Sequence, residues 1–254
     1  MSVIKIRMVT VNYENSEDMA TSSQPCEAIT ELPYNMKSKT SIAMENELGS
    51  HSRYWSNQYK ASCIDFYLKH YKCQLIGSEF RYGTAQLITD LVITTPMNTI
   101  SIEIKTEHDD LRRILRQVSE ASKVFNLVIV FVSAKYEIDV LKILPEHVGI
   151  TIFSESGCKI VRKPRRQGLR PEEAIASIPA SFLRSYFKIS DDLDSDKLRQ
   201  YILAHKITQV NSCFRSYLFD KYEKNYIQFL HDRGKYTHIE DIPTLNMRSI
   251  VEIK

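Results

Sequence analysis

The sequence predicts a mixed α/β protein: a central sheet flanked by helices, followed by a small helical region at the C-terminal end. Three observations carry that reading. Residues 75–133 hold several short β-branched runs bounded by turn residues, the pattern of strands. Between and after these runs apolar residues recur every three or four positions, the period of a helix with one buried face. Beyond a basic stretch at 162–166 only the helical period remains. Strands alternating with helices build a sheet covered by helices on its faces.

Along the chain, residues 3–11 alternate as a short strand. Residues 14–43 are rich in Ser, Thr, Asn, Glu and Met with little period, so residues 1–43 read as an N-terminal extension. Residues 45–70 read as a helix with Tyr59, Cys63, Phe66, Tyr67 and Tyr71 on one face. Strands follow at 75–82, 86–94 and 99–106, the last two joined by a hairpin turn through Pro96 and Asn98. Asp109 and Asp110 are expected to cap and charge the start of the next helix, with Leu111, Ile114, Leu115, Val118 and Ser122 as its buried stripe. Residues 127–133 form a continuous apolar strand of the kind buried on both faces. A helix at 137–144 and a hairpin of 148–153 with 158–161 close a domain assigned to residues 44–166. Residues 167–254 form the helical C-terminal domain. In it Ser195 is expected to cap a helix with Leu198, Tyr201 and Ile202, and a longer helix spans 208–232 before Gly234. Phe214, Tyr217, Leu218, Tyr222, Tyr226 and Phe229 fall at core spacing on that helix, which favours packing over base stacking.

Composition excludes more than it names. A chain of 254 residues, 43% hydrophobic and 26% charged, is an ordinary globular length and composition. A net charge of +3 points to no partner, so any nucleic-acid surface must be local. The five cysteines include no CxxC pair, which argues against structural zinc and a disulfide framework and for reduced thiols. No apolar run approaches the roughly 18 residues of a membrane span, and the start of the chain lacks a signal-peptide pattern; the expectation is a cytoplasmic protein without membrane contact.

The chemistry-bearing feature is a set of charges inside apolar strands. Asp90 sits in the run Leu87 to Thr94, Glu103 follows thirteen positions later among isoleucines, and Lys105 is two places further on. Strand alternation puts Glu103 and Lys105 on one face and Ile102 and Ile104 on the other, and the neighbouring strand can bring Asp90 beside them. Carboxylates gathered in apolar surroundings repel one another unless a cation shares the site.

An acid, then Glu-x-Lys on a strand, then a helix with Arg and Gln resembles the PD-(D/E)xK nuclease superfamily. Ser78-Glu79-Phe80, the stretch from Glu103 to Leu111, Arg116-Gln117-Val118 and Val124-Phe125 together resemble a group of small bacterial proteins within it. The resemblance covers roughly residues 70–230 and is strongest over 78–131. It implies a restriction-endonuclease-like fold and Mg²⁺-dependent hydrolysis of phosphodiester bonds, in DNA, with Mn²⁺ as a possible substitute. On that basis Asp90, Glu103 and the Ile104 carbonyl hold the metal, and Lys105 orients or deprotonates the attacking water. Glu79 ligates or orients a ligand, Gln117 contacts the site or substrate, and Glu45 or Glu47 is the candidate for a further acid. The chain departs from the family in having Thr89 where proline is common and Ala121 where many members carry a tyrosine four residues after the helix glutamine.

Arg112, Arg113 and Arg116, expected on the outer side of the helix after the motif, and Arg162, Lys163, Arg165 and Arg166 are candidate phosphate contacts. A solvated face and a plain flexible linker are the alternatives for the two groups. His108 reads as an exposed loop residue. The rival functions are a catalytically degenerate nucleic-acid-binding module of the same fold, and a protein-interaction subunit or homodimer joined through the C-terminal helices.

Overall fold

The computed structural model describes residues 48–190 and 192–246, with side chains described from Trp55 onward. The strand expected at 3–11, the extension at 1–43, Glu45 and Glu47 lie outside the described residues. Helix α1 (Leu48–His70) leads into β1 (Leu75–Tyr82), β2 (Leu87–Thr94) and β3 (Thr99–Lys105). Helix α2 (Ile114–Val124), β4 (Leu127–Ser133), α3 (Glu137–Ile143), β5 (Gly149–Ser154) and β6 (Gly157–Arg162) follow. The six strands form one sheet in sequential order, with β3, β4 and β5 parallel and the outer pairs antiparallel. Parallel neighbours need a crossover, and α2 and α3 supply the two required.

Helices cover both faces. Phe131 and Thr151 stand in register with Ile104. From α1, Tyr59 packs edge-on against Phe131 and Phe153, and the Tyr67 hydroxyl lies 2.9 Å from Thr151 Oγ1. Glu103, on the opposite face by alternation, is met by Gln117 of α2. That is why every residue of β3 is buried, its polar and charged residues included, and why β4 reads as a nearly continuous apolar run. Among the described residues no helix is long and apolar enough to cross a membrane.

The remaining helices are α4 (Pro171–Ala176), α5 (Ala180–Phe187), α6 (Ser195–His205) and α7 (Val210–Asp232). They share one buried core with the sheet. Phe214, Tyr217 and Tyr222 of α7 gather around Phe80 of β1, and Phe214 also meets Phe125. Gly77 makes this possible: a Cβ there would come within 2.6 Å of the Tyr222 ring. The Tyr222 hydroxyl then donates to the Ser78 carbonyl at 3.2 Å. At the far side, Asp65 of α1 accepts from Arg233 at 2.6 Å and from the Thr237 backbone and hydroxyl, docking the segment after α7 onto α1.

Several local expectations change. Asp109 and Asp110 do not cap α2, whose N-terminal flank is Arg113 with no side-chain cap. Asp109 instead closes a turn on the Thr106 amide and hydroxyl at 2.8 and 2.9 Å, and Asp110 binds Arg112. These local bonds consume the oxygens that a cap would need. The buried stripe of α2 is Ile114, Val118, Ala121 and Val124, whereas Leu115 is exposed, because Ile114 and Val118 take the inward face and the next residue is turned by about 100° from it. Asp194, not Ser195, caps α6, accepting from the Asp196 and Lys197 amides.

Gly77→Ala is expected to destabilise the protein by about 1–3 kcal/mol through overpacking against Tyr222. Combining it with Tyr222→Ala should cost less than the sum of the two single losses in equilibrium denaturation. Fully additive losses would show that the new methyl meets something other than the ring.

Candidate functional site

The site is built where β2 and β3 part. Their ladder runs from Thr94–Thr99 to Leu91–Ile102 and stops, while β3 stays paired with β4 as far as Lys105–Val132. Backbone groups on the open side of β3 then take side-chain partners from β2. Thr89 Oγ1 donates to the Ile102 carbonyl at 3.0 Å and lies 2.8 Å from Ser101 Oγ. Asp90 Oδ2 accepts the Ile104 N–H at 2.8 Å. A strand residue points its N–H and C=O to the same edge, so the Ile104 carbonyl opens into the same gap.

Glu103 is fully buried, and Gln117 Nε2 donates to its Oε2 at 2.8 Å. Its other oxygen, Oε1, is buried without a hydrogen-bond partner, as is Gln117 Oε1. Tyr82 fixes the helix turn beneath by donating to the Gln117 carbonyl at 3.3 Å. Lys105 follows on the Glu103 face with only 8% of its surface exposed. Glu79 sits on β1 in the left-handed region, φ 57°, flanked by Ser78, whose hydroxyl donates to the Asp90 carbonyl at 3.2 Å. A left-handed glutamate costs on the order of 1 kcal/mol and persists only where neighbours hold it.

One residue of this group was not foreseen. Lys60 of α1 is buried, and its Nζ lies 3.4 Å from Glu79 Oε1. The signal for it existed: Lys60 precedes the fully buried Ile64 by four positions and Tyr67 by seven, so it lies on the apolar face of α1.

Electrostatics follow from this crowding. Burial pushes the Asp90 carboxyl above its usual range, opposed by Lys60, the Ile104 N–H and Lys105. Burial and then the Asp90 charge push the Glu103 carboxyl well above its usual range, opposed by Lys105, Thr89 and Lys60. Two such carboxylates require either a shared proton or a cation. The available donors are hard oxygens: Asp90, Glu103 Oε1 and the Ile104 carbonyl. That set suits Mg²⁺, which takes one or two carboxylates and keeps several waters. Among the described residues no group of three or more His, Cys, Asp or Glu side chains is arranged to hold a metal, so an ion here would complete its shell with backbone, water and substrate oxygens.

The basic residues divide. Arg116 is exposed on the first turns of α2, while Arg112 and Arg113 precede the helix and do not lie on its outer side. Arg112 is exposed and paired with Asp110 at 2.8 Å. The run at 162–166 is neither a free linker nor beside the carboxylates. Arg162 ends β6 and donates to the carbonyls of Val148, Leu144 and Pro145. Pro164 packs on Gly149, where a Cβ would come within 2.8 Å of it. Arg165 pairs with Glu146 at 3.1 Å, and Arg166 donates to Asn98 Oδ1 at 3.0 Å. Asn98 precedes β3, whereas Glu103 and Lys105 lie near its end, roughly 17 and 23 Å away at about 3.3 Å per residue. Lys163 is exposed just after β6, which lies three strands away from β3 in the sheet. His108 is exposed, beside Glu107 and the Trp55 ring.

Fold and site define an α/β protein whose mixed sheet gathers buried carboxylates and lysines at one fork. The chain belongs to the family described as Bacteriophage P4 protein cII, whose model matches residues 51–246. It is also similar to a protein of unknown function from Silicibacter pomeroyi, with 19% identity, a TM-score of 0.36 and coverage of 45% of this chain and 75% of that chain. No curated protein matches it.

With no metal added, raised carboxyl pKa values mean that the folded protein holds protons the unfolded chain has released. This contribution to stability is greatest at acid pH and falls as pH rises above the ordinary carboxylate range of about 4.3. Glu103→Gln is therefore expected to be more stable than the wild type at pH 8 in chelator, by about 1–3 kcal/mol, with the advantage shrinking toward pH 5. Denaturation curves at both pH values decide it; a pH-independent difference would remove Glu103 ionisation as the cause.

Proposed function

We propose that the chain is a Mg²⁺-dependent phosphodiester hydrolase of restriction-endonuclease-like fold, acting on DNA. The observation that carries this reading is the pair of converging carboxylates at the β2–β3 fork, one oxygen of Glu103 buried without a partner, with Lys105 on the same face. The resemblance of Asp90, Glu103, Lys105 and Gln117 to the PD-(D/E)xK pattern supports it. The family's description by a bacteriophage protein supports a setting in mobile-element biology.

Asp90, Glu103 and the Ile104 carbonyl would hold Mg²⁺, which supplies charge stabilisation at the phosphate and the leaving oxygen. Asp90 is positioned for this by the Ile104 N–H, and Glu103 by Gln117. Lys105 orients the attacking water and offsets phosphate charge; accepting a proton from that water would require the neutral amine. Arg113 and Arg116, exposed at the start of α2, are the phosphate-backbone contacts closest in sequence to Gln117. The run at 162–166 takes no part in this reading of the site.

Purified protein is expected to cleave DNA in Mg²⁺ or Mn²⁺ and not in chelator, across a panel of single- and double-stranded DNA and RNA. Asp90→Ala and Lys105→Ala should each lower the rate at least about 100-fold while leaving folding and salt-dependent binding in place. Metal-independent cleavage, or none on any substrate, would falsify the proposal. Salt-dependent DNA binding without cleavage would favour the degenerate binding module.

A further inference from the structure

Glu79, Asp90 and Glu103 stand on three adjacent strands, enough carboxylates to suggest the two-ion arrangement common in phosphoryl chemistry. Lys60 alters that count. Its side chain is 5% exposed, and its ammonium lies 3.4 Å from Glu79 Oε1. Ile64, one turn further along the same face of α1, is fully buried, so the lysine stem lies on the packed side of the helix. The same charge is the largest influence opposing protonation of Asp90, and it acts on Glu103 as well.

We infer that Lys60 occupies the place of a second cation, so that the site takes one divalent ion and Glu79 is committed to the lysine. The inference rests on the metal-dependent reading above. A buried ammonium stays charged only beside an acid, and Glu79 is the acid in ion-pair contact with it. A divalent ion on Glu79 would stand within a few ångströms of that ammonium, where like charges repel strongly in a partly desolvated site. The backbone of Glu79 is also fixed, although the side chain is 46% exposed. Its left-handed backbone is flanked by the Ser78 hydroxyl on the Asp90 carbonyl and by Tyr222 on the Ser78 carbonyl. Lys60 is thus a positioning residue: it offsets the carboxylates before metal arrives and sets how many ions they accept.

Mn²⁺ binding to the full chain, counted by calorimetry and electron paramagnetic resonance without nucleic acid, tests this directly. Wild type should bind one ion per chain. Lys60→Met, which keeps much of the stem, should bind the first ion at least about tenfold more tightly and take up a second. Adding Glu79→Gln to that variant should return the count to one. A merely structural lysine predicts the reverse, looser binding at unchanged count. Two ions on the wild type, or one ion at unchanged or weaker affinity on Lys60→Met, overturns the inference and leaves the nuclease reading standing. No ion on the wild type removes the metal-dependent reading itself. If Lys60→Met does not fold, Lys60→Gln is measured in its place and the same outcomes decide.

Discussion

The end of the β2–β3 ladder is the constraint from which the candidate site follows. β3 continues beside β4 after β2 has left it, so its open edge carries amide and carbonyl groups that the interior cannot leave bare. Thr89 and Asp90 answer that need from β2. Asp90 is therefore fixed first by a backbone requirement, which takes one of its two carboxylate oxygens. The gap also joins the two helical layers. Gln117 from α2 and Lys60 from α1, which cover opposite faces of the sheet, both act on carboxylates at the fork.

Much of this was legible in the sequence, because the strands are short, β-branched and separated by recognisable turns. The observed bounds of β1 and β4 coincide with the strands expected at 75–82 and 127–133, and the aromatic series on α7 is buried as its period implied. The convergence of Asp90, Glu103 and Lys105 followed from alternation and a hairpin of fixed register. What escaped was set by tertiary contact. The spacing of Lys60 from Ile64 and Tyr67 places it on the apolar face of α1, but its partner Glu79 emerges only when the sheet is laid against that helix. Asp109 and Asp110 satisfy the general preference for acids before a helix, yet closer partners claimed their oxygens. The arginines at 162–166 form a compact run in one dimension, while in three dimensions their backbone and side chains are spent on the start of the sheet.

Charge at the fork is balanced on a fine margin. The carboxylates of Asp90 and Glu103 and two buried lysines meet there, with Glu79 half-exposed at the rim. A shared proton or a cation would each relieve the repulsion between Asp90 and Glu103. Ala121 belongs to the same economy of space: it is fully buried on the sheet side of α2, and a larger ring there would have to displace core side chains.

The seat of Tyr222 on Gly77 bears on how such a chain can change over generations. Residues 77 and 222 lie 145 positions apart in the sequence, on opposite sides of the basic stretch at 162–166. A glycine freed to acquire a side chain would exclude the ring, and a ring lost would leave a void against the strand. The two halves of the chain are thus bound to be inherited as a matched pair. Recombination with a divergent relative at that stretch would disturb the strand that carries Glu79, although it exchanged none of the charged residues at the fork.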